Sequence, residues 1–282
     1  MAEGNIGVVG SGTMGAGIAQ VFALAKYDVV LVDLQKEYLD HAISGVVKNL
    51  ERLVAKGSIS VTQKDVAIAG IQITTDYAAL ASCGLVVEAV SENRDVKKQV
   101  LRKIEFQVSG ECIIASNTST ISITELAAHL NAPQRFVGMH FMNPAPLMQL
   151  VEVITAVQTG RQVTAEVTAL AKKIGKTPVL VNDSPGFVLN RLLIPMINEA
   201  IFALDSGVAD AKSIDSCMHL GANHPMGPLA LADLIGLDVC LHIIEVLHTD
   251  FGDSKYRPCP LLKRMVAAGH LGRKSGRGFF VY

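Results

Sequence analysis

The segment 6–15 reads IGVVGSGTMG, and it decides the fold of the first part of the chain. Its four leading residues predict a buried strand, and the glycines that follow have the spacing G-x-G-x-x-G at the start of a helical pattern. Gly10 permits a tight turn, Gly12 lets backbone approach a pyrophosphate, and Gly15 lets the helix pack close to the strand. The helix N-terminus then faces the anion. We therefore predict a dinucleotide-binding turn, although the glycine spacing alone is a weak signal because turns commonly contain glycine.

The next apolar strand, 29–32, ends in Asp33, which lies 18 positions after Gly15 (33 minus 15). A carboxylate at this point accepts hydrogen bonds from the ribose hydroxyls of the bound dinucleotide. It also repels a 2′-phosphate, so we predict NAD rather than NADP as the cofactor. Lys36 argues in the other direction, because a basic side chain nearby could receive that phosphate.

Short apolar runs alternate with helix-length segments through the first two-thirds of the chain. The runs that predict buried strands are 6–9, 29–32, 72–74, 85–87, 112–115 and 136–139. Helices are predicted between them, for example over 14–25, 35–55 and 93–108. This alternation predicts an α/β fold of the Rossmann type, with a mostly parallel sheet that helices cover on both faces.

The pattern changes at NDSPG, residues 182–186. Before it, 177–181 predicts a last strand, and after it the pattern is almost wholly helical. We therefore predict an NAD-binding Rossmann domain over 1–183. An all-α domain is expected over 184–282.

The segment 187–204 is apolar nearly all the way round a helix and is interrupted by Pro195, which should kink it. Such a helix must be buried, either centrally or against a second subunit. We expect a homodimer built on the second domain. The alternative is that the helices of this domain bury one another and the sheet domain.

Composition excludes several classes of partner. Half of the 282 residues are hydrophobic, 18% are charged and the formal net charge is -1. Without a basic block, no nucleic-acid partner is expected. No apolar run approaches the roughly 20 residues of a membrane span, and no signal peptide is recognisable, so neither is predicted. The five cysteines are scattered without a CxxC pair, which indicates reduced core thiols, a cytoplasmic protein and no metal site.

Polar residues follow three of the apolar runs. The segment 116–119 reads SNTS, 139–144 reads MHFMNP, and 150–153 reads LVEV. Taken singly, His140 is a hydrogen-bonded structural residue more often than a base, and Glu152 would lie on a solvated strand face. Together these segments offer a base, an acid that orients it and hydroxyl-binding groups beside a nicotinamide site. Oxidation of an alcohol needs that set, because a proton leaves the oxygen as hydride leaves the carbon.

The chain resembles the L-3-hydroxyacyl-CoA dehydrogenase family, in particular its bacterial enzymes of the short-chain, 3-hydroxybutyryl-CoA type. The matching segments run through the whole chain: 10–15, 116–119, 139–144, 150–152, 184–191, 221–228 and 272–276. Met142 stands where a second phenylalanine is expected, which could reshape the pocket but removes no polar group. The resemblance implies hydride transfer between NAD(H) and a 3-hydroxyacyl-CoA or 3-ketoacyl-CoA substrate.

The resemblance also implies a role for each matching residue. His140 would be the general base in oxidation and the acid in reduction, with Glu152 orienting its ring, while Ser119 and Asn190 would hydrogen-bond the 3-oxygen of the substrate. Residues implied at the cofactor site are Gly10, Ser11, Gly12, Thr13, Met14, Gly15, Asp33, Glu92, Lys97, Asn117, Ser119, Asn143 and Lys274. Lys56, with Asn49 on the same side, would contact the CoA phosphates. An ordinary solvated lysine at a helix C-terminus is an equally good interpretation of Lys56.

Two other functions stay open. A two-domain dehydrogenase of 3-hydroxy acids that carry no CoA would share the first domain, but the familiar families use a lysine as the base, so His140 with Glu152 argues against it. A non-catalytic relative that binds NAD and serves as a structural protein would have no need of the set His140, Glu152, Ser119 and Asn190.

Overall fold

A computed structural model describes residues 5–282. The chain divides into two compact units between Asp183 and Ser184. Within the described residues, no helix has the length and apolar character that crossing a membrane requires.

The first unit is built on one eight-stranded sheet. Its strands are β1 Asn5–Val9, β2 Val29–Val32, β3 Ile71–Thr74, β4 Cys83–Glu88, β5 Ile113–Ser116, β6 Phe136–Phe141, β7 Leu150–Thr155 and β8 Thr177–Asn182. They lie in the order β3-β2-β1-β4-β5-β6-β7-β8, and every neighbouring pair is parallel except β6 with β7. The predicted Rossmann-type, mostly parallel sheet is therefore confirmed.

Among its described residues this unit has six α-helices: α1 Thr13–Leu24, α2 Lys36–Ala55, α3 Val61–Ala69, α4 Arg94–Gln107, α5 Ile123–Ala127 and α6 Arg161–Lys173. The central strands are apolar on both faces because helices cover them. Ile6 and Leu31, for example, are fully buried in one core with Phe22 of α1. Burying a side chain of this size stabilises the fold by about 1.5–3 kcal/mol.

The prediction that all early strands are buried is wrong for β3. Gln72 is exposed and its strand neighbours are only half-buried. β3 is the edge strand of the sheet, so it has a neighbour on one side only. The position of a strand in the sheet depends on pairing between distant segments, which its own apolar pattern does not report.

The second unit is helical, with α7 Leu189–Asp205, α8 Ala211–Ala222, α9 Pro228–Ile235, α10 Leu237–Phe251 and α11 Pro260–Ala267. Its core contains Ile197 and Ile201 of α7 together with Leu229, Ile244 and Leu247. Asp233, which is 1% exposed, accepts hydrogen bonds from the backbone of Phe279 and Phe280 at 2.9 Å each. This carboxylate anchors the last residues of the chain to α9.

The long apolar helix differs from its prediction in two respects. It begins at Leu189 rather than at Phe187, whose φ of 50° places it in a turn, and it continues through Pro195. It is also not buried on all sides within one chain. Ile194, Ile197 and Ile201 form a buried stripe, whereas Leu192 is 68% exposed. The side of the helix that carries Leu192 therefore stays exposed in one chain.

Candidate active site

The glycine-rich turn lies between the end of β1 and the start of α1. Gly10 has a φ of +100°, and a Cβ there would lie 2.6 Å from the carbonyl oxygen of Ala89. A Cβ at Gly15 would overlap the carbonyl oxygen of Gly10, so both positions require glycine. Gly12 is different, because a Cβ there would meet no atom within 4 Å. The open space in front of the N-terminus of α1 therefore fits the pyrophosphate of a dinucleotide.

Asp33 follows β2 and is held against the same turn. Its Oδ2 accepts hydrogen bonds from the backbone N–H of Ser11 at 2.6 Å and from the Ser11 hydroxyl at 2.7 Å. Its Oδ1 accepts from the backbone N–H of Leu34 at 2.7 Å. A carboxylate accepts about four hydrogen bonds, so one place for a ribose hydroxyl remains. Lys36, the first residue of α2, is exposed, and it follows Asp33 closely in the sequence.

His140 and Glu152 form a buried pair. They are register partners on the antiparallel strands β6 and β7, so their side chains point to the same face of the sheet. The Nδ1 atom of His140 lies 2.8 Å from Oε2 of Glu152, and the two residues are 6% and 1% exposed. A carboxylate at Nδ1 fixes the orientation of the ring.

The loop after β5 carries Ser119 and is bound by Glu92. Oε1 of Glu92 accepts hydrogen bonds from the Thr118 hydroxyl at 2.6 Å, from the Ser119 N–H at 2.9 Å and from the Thr120 N–H at 3.0 Å. Burial acts to raise the pKa of Glu92, but attraction to Lys97 and these hydrogen bonds outweigh it and lower the pKa. The loop is therefore held by a carboxylate that stays ionised.

Asn117 joins this loop to the strand of the histidine. Its Oδ1 accepts a hydrogen bond from the backbone N–H of Phe141 at 2.9 Å. Because β5 and β6 are parallel neighbours, the loop after β5 and the end of β6 lie at the same edge of the sheet. The structure thus brings the Ser119 loop and the His140 strand together.

A buried ion pair lies behind the loop. Nζ of Lys97 is 2.8 Å from Oε1 of Glu88, and the two side chains are 1% and 0% exposed. The same ammonium group is 3.3 Å from Oε2 of Glu92 and 3.3 Å from the carbonyl oxygen of Val90. The three N–H groups of Lys97 thus have three acceptors within the protein. Lys97, predicted to line the cofactor site, is a buried residue that supports Glu92 and Val90.

The sequence interpretation missed Glu88 and gave no role to Ser116, Thr118 or Thr120. A usable signal was present, since Glu88 ends the apolar run LVVE just as Asp33 ends VVLVD. An acid at the carboxyl end of an apolar strand in a parallel sheet points to the ligand-binding edge.

The remaining predicted residues are dispersed. Asn143 is exposed after β6. Asn49 of α2 and Lys56 at its C-terminal end are exposed and, being seven positions apart, lie on the same side of the helix. In the second unit, Asn190 is half-buried in the first turn of α7, and Nζ of Lys274 is 2.6 Å from Oδ1 of Asp238.

Known proteins resemble both units. Residues 5–184 match the family described as 3-hydroxyacyl-CoA dehydrogenase, NAD binding domain, and residues 186–282 match 3-hydroxyacyl-CoA dehydrogenase, C-terminal domain. A probable 3-hydroxybutyryl-CoA dehydrogenase of Deinococcus radiodurans is 53% identical over 276 residues, which cover 98% of this chain and 99% of that protein. The 3-hydroxybutyryl-CoA dehydrogenase of Bradyrhizobium diazoefficiens is 47% identical over 277 residues, covering 98% and 94%.

Solved structures agree. The crystal structure of (S)-3-hydroxybutyryl-CoA dehydrogenase from Ralstonia eutropha superimposes with a TM-score of 0.96 at 50% identity, and the match covers 99% of this chain and 98% of that one. The family matches cover both units, and relatives about 50% identical match nearly the whole length of the chain. The chain therefore belongs to the 3-hydroxyacyl-CoA dehydrogenase family.

Proposed function

We propose that this protein interconverts (S)-3-hydroxybutyryl-CoA and acetoacetyl-CoA with NAD(H). The observation that carries the proposal is the buried His140–Glu152 pair, 2.8 Å apart, at the sheet edge that also bears the Ser119 loop. The relatives named for this substrate, at 47% to 53% identity, support the choice of acyl group. A non-catalytic NAD-binding relative would have no need of such a base–acid pair.

In the oxidation direction, Nε2 of His140 takes the proton of the substrate's 3-hydroxyl group. Glu152 stabilises the imidazolium ion that forms, because its carboxylate lies at Nδ1. NAD, when bound, supplies the acceptor for the hydride that leaves C3. In the reduction direction the same imidazolium returns its proton to the oxygen.

Ser119 is the proposed donor to the 3-oxygen from the first unit. Its backbone N–H and its hydroxyl group both donate to Oε1 of Glu92, at 2.9 and 3.3 Å, so the hydroxyl is held in position before substrate arrives. Asn190 is proposed as a second donor to this oxygen, on the resemblance alone. The glycine turn, Asp33 and Glu92 are proposed to hold the cofactor, and Asn117, Asn143 and Lys274 are proposed to line the site.

The CoA phosphates are proposed to lie against Lys56, with Asn49 beside it. Both are exposed on one side of the region around α2, and a positive charge there complements a phosphate. Lys56→Ala should then raise KM for acetoacetyl-CoA with little change in kcat. An unchanged KM would leave Lys56 as an ordinary surface lysine.

The test of the whole proposal is the loss of NADH absorbance with the purified chain and acetoacetyl-CoA, run beside free acetoacetate. We expect fast turnover of the thioester and little of the free acid. Comparable turnover of free acetoacetate would favour the dehydrogenases of 3-hydroxy acids without CoA. Tight NADH binding with no turnover of either would favour a non-catalytic role.

We also propose a homodimer formed through the second unit, in the cytoplasm. Large apolar side chains of this unit remain exposed in a single chain: Leu192 is 68%, Val208 75% and Leu220 80% exposed. Apolar surface of this kind is typical of a subunit interface where the side chains are contiguous, and we propose that these side chains contribute to one. All five cysteines are free thiols, in keeping with a reducing compartment, although Cys217 is exposed rather than a core residue as expected.

A further inference from the structure

Glu88 is a fully buried carboxylate to which the proposed mechanism gives no task. It is the last residue of β4, and it is the register partner of Val9 on one side and of Ser116 on the other. The glycine-rich turn begins immediately after Val9, and the Ser119 loop begins immediately after Ser116. Glu88 therefore lies between the two backbone segments that the cofactor and substrate sites depend on.

One oxygen of this carboxylate is directed toward the glycine-rich turn. Oε1 accepts hydrogen bonds from the backbone N–H of Val90 at 2.8 Å and from Nζ of Lys97 at 2.8 Å. Lys97 in turn donates to the carbonyl oxygen of Val90 at 3.3 Å. Both polar groups of Val90 are thus held, and Val90 with Ala89 forms the surface on which Gly10 packs without room for a Cβ.

The other oxygen is directed toward the Ser119 loop. Oε2 accepts a hydrogen bond from the Ser116 hydroxyl at 2.6 Å, and the Ser116 oxygen accepts one from the Thr118 N–H at 3.2 Å. A second route runs through Lys97 to Glu92, whose carboxylate binds the backbone of Ser119 and Thr120. Both routes end at the loop that carries the proposed donor to the 3-oxygen.

We propose that Glu88 is a positioning residue that couples the glycine-rich turn to the Ser119 loop, so that cofactor affinity and turnover depend on the same buried charge. An ionised acceptor makes stronger and more directional hydrogen bonds than a neutral one, and burial strengthens them further. The effect of Glu88 on turnover, through the loop, rests on the proposed role of Ser119. Its effect on cofactor affinity, through the glycine-rich turn, rests only on binding of the dinucleotide.

The decisive variant is Glu88→Gln, which keeps the shape and removes the charge. Lys97 retains Glu92 as a counterion in this variant, so no buried cation is left unpaired. We expect the Kd for NADH to rise and kcat with acetoacetyl-CoA to fall, each by about 10- to 100-fold, as small misplacements of reacting groups produce. NADH titration by fluorescence and steady-state kinetics give the two values, and circular dichroism reports the fold.

Ser116→Ala separates the two effects. It removes the Ser116 route to the loop and leaves the contacts of Glu88 with Val90 and Lys97 in place, so kcat should fall while the Kd for NADH stays near the unmodified value. This variant also tests the proposal if Glu88→Gln does not fold. Glu105→Gln is the matched control, since Glu105 lies on the same helix as Lys97 and its carboxylate accepts three hydrogen bonds from Asn131 and Ala132. It should change neither value.

A folded Glu88→Gln protein with unchanged kcat and unchanged NADH affinity would overturn the proposal. The same holds if the variant loses thermal stability but keeps both values, because a purely structural role predicts a loss of stability and nothing else. A change in one value but not the other would overturn the coupling. Ser116→Ala with full kcat would exclude the route to the loop through Ser116. If the unmodified protein does not turn over acetoacetyl-CoA, the proposed function fails, and the NADH titration still decides whether Glu88 positions the turn.

Discussion

His140 and Glu152 face each other across β6 and β7, the one antiparallel pair in the sheet of the described residues, with Nδ1 and Oε2 2.8 Å apart. Direct partners on adjacent strands present their side chains to the same face at close range. The chain reverses between the two strands over residues 142–149. This reversal brings the acid beside the histidine at the carboxyl edge of the parallel strands.

Replacing His140 by alanine should lower kcat with acetoacetyl-CoA by about 10²- to 10⁴-fold, the usual effect of removing a general acid–base group. The Kd for NADH should change little, because the turn at Gly10 to Gly15 and Asp33 hold the dinucleotide. Steady-state kinetics and NADH fluorescence titration measure the two values. A folded variant with near-normal turnover would show that another group moves the proton.

Glu152→Gln should also lower kcat while NADH affinity persists. The amide cannot stabilise an imidazolium as a carboxylate does, although it can still hydrogen-bond Nδ1. Because Glu152 is 1% exposed, circular dichroism must first establish that the variant folds. Full activity in a folded Glu152→Gln protein would mean that the carboxylate serves the packing of β7 and not the chemistry.

Asp33→Ala should narrow the preference for NADH over NADPH. The change removes the acceptor for the ribose hydroxyls and the repulsion of a 2′-phosphate, so NADH affinity falls and NADPH affinity rises. The ratio of kcat/KM for the two cofactors is the measurement, and Lys36→Ala is the control for a competing cation. Equal or better efficiency with NADPH in the unmodified protein would contradict the assignment of Asp33.

Glu92 should make stability depend on acid pH. Burial acts to raise its pKa, but Lys97 and the hydrogen bonds from 118–120 lower it below the ordinary 4.5. The contribution of ionised Glu92 to the free energy of unfolding is therefore complete above about pH 4.5, and it is lost as the pH falls through the lowered pKa. Urea unfolding of the unmodified protein and of Glu92→Gln should differ at pH 7, and the difference should shrink toward pH 3. A constant difference over this range would contradict the prediction.

Replacing Glu37 by glutamine is the control for that experiment. Glu37 is an exposed carboxylate in the first turn of α2, so its loss removes one charge without disturbing a buried network. The unfolding free energy of Glu37→Gln should follow that of the unmodified protein over the same pH range.

The protein should sediment and scatter light as a homodimer at micromolar concentration. Replacing Leu192 and Leu220, which are 68% and 80% exposed, by aspartate should weaken the dimer, because each change places a charge on an apolar surface. Exposed Val61, at 56%, lies in the first unit and Val61→Asp is the matched control. A stable, active monomer of the unmodified protein would exclude the interface.

The sequence by itself determined the features that depend on local chemistry. The glycine spacing after β1, the acid after β2 and the alternation of apolar runs with helical segments predict the Rossmann-type sheet, because turn geometry and side-chain period are properties of neighbouring residues. The roles of His140, Ser119 and Asn190 came from resemblance to a family and stay predictions.

Tertiary structure alone decided the features that depend on which distant segments meet. Only the antiparallel pairing of β6 with β7 places Glu152 at His140, and only the order β1-β4-β5 places Glu88 between the glycine-rich turn and the Ser119 loop. Edge strand β3 and the exposed side of α7 differ from their predictions for the same reason. Strand pairing and burial are set by partners far along the chain, and a local pattern carries no record of those partners.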